Sequence, residues 1–157
     1  MPIPFQLDIN PERIIRGDFF PSRQKLRGNM IFCHGFKGFK DWGFIPHAAQ
    51  SLAEHFNVIT FNFSHNGVGE DRDTFSELDK FAKNTYSKEL EDLQTVVHHL
   101  QQGTLPLRTT GDETQSKAET SAGLNGTEHA VTAAGGSTLP LFLLGHSRGA
   151  GVSLIYA

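Results

Sequence analysis

With a single cysteine, Cys33, in 157 residues, the chain cannot form an internal disulfide, and it fits a reducing compartment. No stretch approaches the ~20 consecutive apolar residues that a membrane helix requires. The opening Met1-Pro2-Ile3-Pro4-Phe5-Gln6 lacks the basic-then-apolar pattern of a secretory signal. These absences lead us to expect a cytoplasmic protein with no membrane partner. There is also no run of lysine or arginine interleaved with aromatics. Seventeen acidic side chains against fourteen basic ones leave a formal net charge of -3, which argues against a nucleic-acid partner. At this length a compact fold buries roughly 70% of the surface its unfolded chain exposes, so one domain with a real core is allowed and two are not.

What is present is an alternation of short apolar runs and helical patterns, the signature of an α/β sheet with crossover helices. Phe5, Leu7 and Ile9 repeat every second residue, as in a half-buried strand. Ile14, Ile15, Phe19 and Phe20 around Gly17-Asp18 predict a hairpin or a bent second strand. Asn29 to Cys33 is a continuous apolar run that predicts a strand buried on both faces. From Ile45, the spacing of Ala49, Leu52, Ala53 and Phe56 predicts a helix with Pro46 in its first turn. A strand is predicted over Val58–Phe63, leading into the polar turn Ser64-His65-Asn66-Gly67. Leu90, Leu93, Val97 and Leu100 mark one face of a helix that begins among Glu89, Glu91 and Asp92 and stops at Gly103. Thr104 to Thr138 contains no aromatic residue and is dominated by Thr, Gly, Ala and Ser, so it is expected to be a disordered low-complexity insertion. Leu139 to Leu144 predicts the last strand, and Ala150 to Ala157 the start of a helix.

Between that strand and that helix lies Gly145-His146-Ser147-Arg148-Gly149, which fits G-x-S-x-G, a serine on a sharp turn between a buried strand and a helix. The flanking glycines have a steric purpose, since side chains two residues either side of the serine would meet the neighbouring strand and helix. Attack of such a serine on an acyl group develops negative charge on the former carbonyl oxygen, which two fixed backbone N–H groups can stabilise. Arg148, following the serine, is positioned to supply one. Phe36, just past His34-Gly35 at the end of the Met30–Cys33 run, is positioned to supply the other. Gly35 permits the turn that aims it, and His34 is expected to brace the loop rather than act as a base.

The order of strand, His34-Gly35-Phe36, helix, strand, loop, helix, strand and Gly145-His146-Ser147-Arg148-Gly149 resembles the N-terminal half of an α/β-hydrolase. The resemblance spans the chain except for Thr104 to Thr138. It implies a mostly parallel sheet flanked by helices, hydrolysis of ester, thioester or amide bonds in a small-molecule acyl substrate, and no cofactor. It makes Ser147 the nucleophile, Phe36 and Arg148 the oxyanion donors, and His146 and Gly149 the completion of the elbow. The loop Ser64-His65-Asn66-Gly67 stands where many members carry Arg-Gly-His-Gly. Because it departs from that wording, it is expected to support the site.

A serine hydroxyl needs a neighbouring base, oriented by a carboxylate, to become a nucleophile. By the resemblance both follow the serine, yet the ten residues after Ser147 contain neither. All eight histidines precede it, and His65 is the one to watch as a surrogate base, because it follows a strand at the same carboxyl edge of the sheet. The chain is therefore expected to break off after the elbow, with the outer edge of its last strand uncovered and two triad members missing. Two functions remain: an N-terminal serine-hydrolase portion that is inactive by itself, or a non-catalytic relative that binds a ligand or partner. No metal is expected, since His98 and His99 diverge around a helix and the acids from Glu70 to Asp79 lack calcium-loop spacing. Cys33 is expected to be a core residue. Phe36, Phe39, Trp42 and Phe44 line an acyl pocket or pack the sheet edge; the sequence does not decide between these.

Overall fold

The computed structural model describes residues 1–72, 74–108 and 139–157. Five strands form one mixed sheet in the order β1-β2-β4-β3-β5, comprising β1 (Ile3–Asn10), β2 (Arg13–Phe20), β3 (Gly28–Cys33), β4 (Phe56–Asn62) and β5 (Leu141–Gly145). The first three in that spatial order pair antiparallel, whereas β4, β3 and β5 run parallel. Parallel neighbours need long crossovers, which helices supply between β3 and β4 and between β4 and β5, and a last helix follows β5. These are α1 (Ile45–Leu52), α2 (Leu78–Ala82), α3 (Tyr86–Gln102) and α4 (Arg148–Tyr156).

Successive strand residues point to opposite faces, and the sequence uses both. On one face Val58, Phe20 and Met30 meet Ala49, Ala53 and Leu52 of the α1 region. On the other, Ile15, Ile31, Ile59 and Phe61 pack with Leu93, Val96, Val97 and Leu100 of α3 and Val152 of α4. β4 is central to both, with every residue after Phe56 buried. Buried carboxylates tie this second layer to the sheet. Asp92 of α3 accepts from Arg13 Nη2 at 2.7 Å, at the start of β2, and from the Ser64 N–H at 2.8 Å, just past β4.

Three elements differ from expectation. The β1–β2 hairpin turns at Pro11-Glu12, where Asn10 Oδ1 accepts from the Glu12 and Arg13 N–H groups at 3.0 Å, and β2 runs uninterrupted through Gly17-Asp18. Gly17 lies inside the strand because the Phe5 ring covers it and leaves no room for a β-carbon. Phe56 belongs to β4, not to the preceding helix, which ends four residues earlier at Leu52. α3 begins at Tyr86, where the Thr85 hydroxyl accepts from the Lys88 N–H. Its end matches the reading, with Gly103 at φ 66° closing the helix.

The expected insertion lies outside the described residues from 109 to 138. Its first residues are packed: Leu105 is buried, Leu107 bridges Phe5, and the Arg108 N–H donates to Pro4 O at 2.8 Å. That contact covers the β1 edge. The opposite edge is β5, where Phe142 and Leu144 are exposed, as are Leu154 and Ile155 on α4. Among the described residues no helix is long and apolar enough to cross a membrane.

Since Ile59 is fully buried at the centre of β4, Ile59→Ala is expected to lower the unfolding free energy by about 2–5 kcal/mol. Urea denaturation followed by circular dichroism measures this, and a loss below 1 kcal/mol would place β4 outside the core.

Candidate active site

β5 passes through His146 and Ser147 directly into α4. Ser147 has φ 54° and ψ -120°, a backbone conformation costing a residue with a β-carbon on the order of 1–3 kcal/mol. The surroundings impose it. A β-carbon on Gly145 would overlap the Ala150 backbone, and one on Gly149 would overlap the Cys33 carbonyl. The His146 N–H donates to Cys33 O at 3.0 Å, so the turn is fastened to the end of β3. Ser147 is exposed, and among the described residues its hydroxyl has no capping partner.

The loop after β3 meets this turn. A β-carbon on Gly35 would stand 3.0 Å from Ser147 Cβ and 3.1 Å from His146 Nδ1, so glycine is what permits the approach. Phe36 follows, and neither its N–H nor that of Arg148 donates to a backbone group among the described residues. The Arg148 N–H is one of the unpaired donors at the start of α4, where the helix dipole is positive.

His34 is buried beneath the loop. Its Nδ1 donates to Gly35 O at 2.9 Å, which leaves Nε2 to accept from the Phe63 N–H at 3.3 Å. Burial depresses its pKa to about 4, so the ring is neutral. Asn66 crosses from the loop after β4, donating from Nδ2 to Gly38 O at 3.3 Å and accepting the Val68 N–H at 3.0 Å on Oδ1. Gly67 beside it has φ 90°, as the Asn-Gly pair suggested. His65 is buried too, with Nδ1 2.8 Å from Ser64 Oγ. Burial, followed by the Lys88 charge, lowers its pKa.

One group of residues escaped the sequence reading. The Arg148 side chain donates from Nε to Glu89 Oε2 at 2.8 Å and lies 3.9 Å from the Tyr86 ring centroid. Asn84 Nδ2 donates to the other Glu89 oxygen at 2.7 Å. The buried Glu89 thus holds the first residue of α4 from the first turn of α3. Its sequence shows only an acid near a helix start, whose partner lies 59 positions away.

The aromatic residues divide. Trp42 and Phe44 flank the His146 ring at centroid distances of 6.0 and 5.4 Å, and Phe36 lies 5.5 Å from Phe81; all three are exposed. Phe39 packs edge-on against Phe75. Cys33 is fully buried, its pKa pushed up to about 12 by burial, so it is a core thiol rather than a nucleophile. Among the described residues no three His, Cys, Asp or Glu side chains group as a metal site.

No protein-family model and no curated protein sequence matches the chain. Solved structures do. A thermostable carboxyl esterase from Bacillus coagulans is similar over 99% of this chain and 39% of its own, at 17% identity and TM-score 0.59. An α/β serine hydrolase without lid from Xanthomonas campestris is similar over 99% and 55%, at 21% identity and TM-score 0.60. A dienelactone hydrolase from Anabaena variabilis matches over 99% and 57%, at 14% identity and TM-score 0.59. The likeness is one of fold, and the chain spans between about two-fifths and somewhat over half the length of these neighbours.

Two outcomes follow. Removing the β-carbon at position 147 relieves strain, while glycine's added freedom in the unfolded chain offsets part of the gain. Ser147→Gly is expected to raise the unfolding free energy by about 1 kcal/mol, with Ser147→Ala near neutral. Calorimetry in which Ser147→Gly is destabilised would contradict the strained turn. For His34, the folded pKa of about 4 lies below the ordinary histidine value of 6.5, so the unfolded state gains a proton first as pH falls. Stability should therefore decline from pH 6.5 toward 4 by roughly 3 kcal/mol from this group. Denaturation across that range, compared with His34→Gln, measures the contribution. An unchanged slope would show that the ring titrates normally.

Proposed function

We propose, from the α/β-hydrolase fold of this chain, that it carries the nucleophile portion of a serine hydrolase acting on ester, thioester or amide bonds. Ser147 is the nucleophile, forming an acyl-enzyme, and the Phe36 and Arg148 N–H groups face the oxyanion. The observation that supports this most is the positive φ of Ser147 on a turn pressed against Gly35. An exposed serine buries nothing in return for this strain, whereas the turn lifts a nucleophile clear of the sheet. His34, Gly35, Gly145, His146 and Gly149 then act as supports. The substrate is a small acyl compound, handled without cofactor. The lone buried Cys33 and the slightly acidic composition favour the cytoplasm and disfavour nucleic acid.

The reaction needs a base for the Ser147 proton, and among the described residues none is well suited to that task. His34 is committed to Gly35 and Phe63, and His65 to Ser64. This chain alone is therefore proposed to be inactive. The lack of a suited base among the described residues, together with the exposed Phe36, Trp42 and Phe44 around the elbow, also supports a second reading as a non-catalytic module that binds an apolar ligand or partner.

Incubation with a fluorophosphonate probe and a short-chain nitrophenyl ester tests the proposal. Ser147-dependent turnover by the 157-residue chain should not exceed background. Turnover that disappears in Ser147→Ala and in His65→Gln would overturn the inactivity and identify His65 as the base.

A further inference from the structure

A cavity of about 380 Å3 lies on the β1–β2 side of the sheet, and its lining is unusual in charge. Arg16 enters from β2, Arg72 from the loop after β4 and Arg108 from the segment after α3. Lys40 also lines it, but its ammonium group is bound by Asp18 and by Asp41 at 2.6 Å. The three arginines differ from it. Among the described residues none has an ion pair, and Glu70 is the single carboxylate on the wall. The backbone holds two of them in place: Arg16 lies between Gln6 and Asn62 in the sheet register, and the Arg108 N–H donates to Pro4 O.

Three arginines lining one concavity bring like charges together, in a chain whose seventeen acidic side chains outnumber its fourteen basic ones. Guanidinium presents a planar fork of donors that matches the paired oxygens of phosphate and carboxylate. A bound water takes roughly 30 Å3, so the space exceeds what a bare oxyanion needs and falls in the lower range of small-ligand sites. We infer that Arg16, Arg72 and Arg108 form a binding site for a small organic molecule bearing a multivalent oxyanion, either a phosphate ester or a polycarboxylate. The site is separate from Ser147 and does not depend on its activity. Its floor includes Lys40, whose N–H donates to Asn62 Oδ1 at 2.7 Å and which belongs to the loop that also carries Phe36.

Isothermal titration of the full chain with pyrophosphate, and separately with citrate, at matched ionic strength provides the test. Saturable one-to-one binding is expected. Arg16→Gln and Arg108→Gln should each weaken it at least about tenfold, as loss of a charge-assisted contact does. Arg72 is exposed on a loop, so Arg72→Gln reports on the site with no demand on strand packing. Arg27→Gln, an exposed arginine outside the cavity, should bind as the unsubstituted chain does. Pyrophosphate binding alone identifies a phosphate ester as the ligand class, and citrate binding alone a polycarboxylate. Absence of saturable binding for both anions, or equal affinity in the three cavity variants, overturns the inference.

Discussion

The site depends on one close contact, the approach of the β5–α4 turn to the end of β3 with no side chain between them. Gly149 lies against the carbonyls of Cys33 and His34, and Gly35 lies against Ser147. A β-carbon at either position would push apart elements that a hydrogen bond from His146 to Cys33 draws together. Sheet order creates this proximity. Because β3 stands between β4 and β5 and all three are parallel, the loops at their carboxyl ends converge on one edge. The serine's strained backbone is a result of that crowding, held by neighbours that cannot move without unpacking the sheet.

Beneath the contact is a layer of buried polar groups whose partners are fixed by geometry. α3 contributes two of them, one turn apart on the same buried face. Asp92 reaches Arg13 and the start of the β4 loop, while Glu89 reaches Arg148 at the start of α4. One helix thus references the antiparallel part of the sheet and the elbow to a common frame. His34 does the same for the two loops, connecting Gly35 to Phe63 through a neutral ring. A buried group left without such partners would cost on the order of 1–3 kcal/mol, so these links are selective as well as stabilising.

The sequence made the local features legible and the long-range ones invisible. The apolar alternation in β1, the run in β3 and the glycine ending α3 each carry a signal within a few residues, and each element is found there. Gly145 to Gly149 is equally readable, because the steric demand of the turn fixes both glycines and the serine relative to one another. Phe56 reads as helical because its spacing continues that of Leu52 and Ala53, and only pairing with Gly28 makes it a strand residue. Gly17 looked like a turn because nothing nearby announces the Phe5 ring above it. Glu89, Asn84 and Tyr86 gave no sign of holding Arg148, since a salt bridge across 59 positions has no local pattern.

The two edges of the sheet are unequal, and this gives the molecule a direction. Leu107 and Arg108 occupy the outer side of β1, while the outer side of β5 keeps its backbone donors and acceptors unpaired among the described residues. A strand laid against β5 in the parallel sense would end level with Gly145, so whatever loop it carried at its carboxyl end would arrive beside Ser147. The strained serine and the capacity for extension therefore share one border. A polypeptide that lengthened this sheet would, by the same act, furnish the serine with new neighbours.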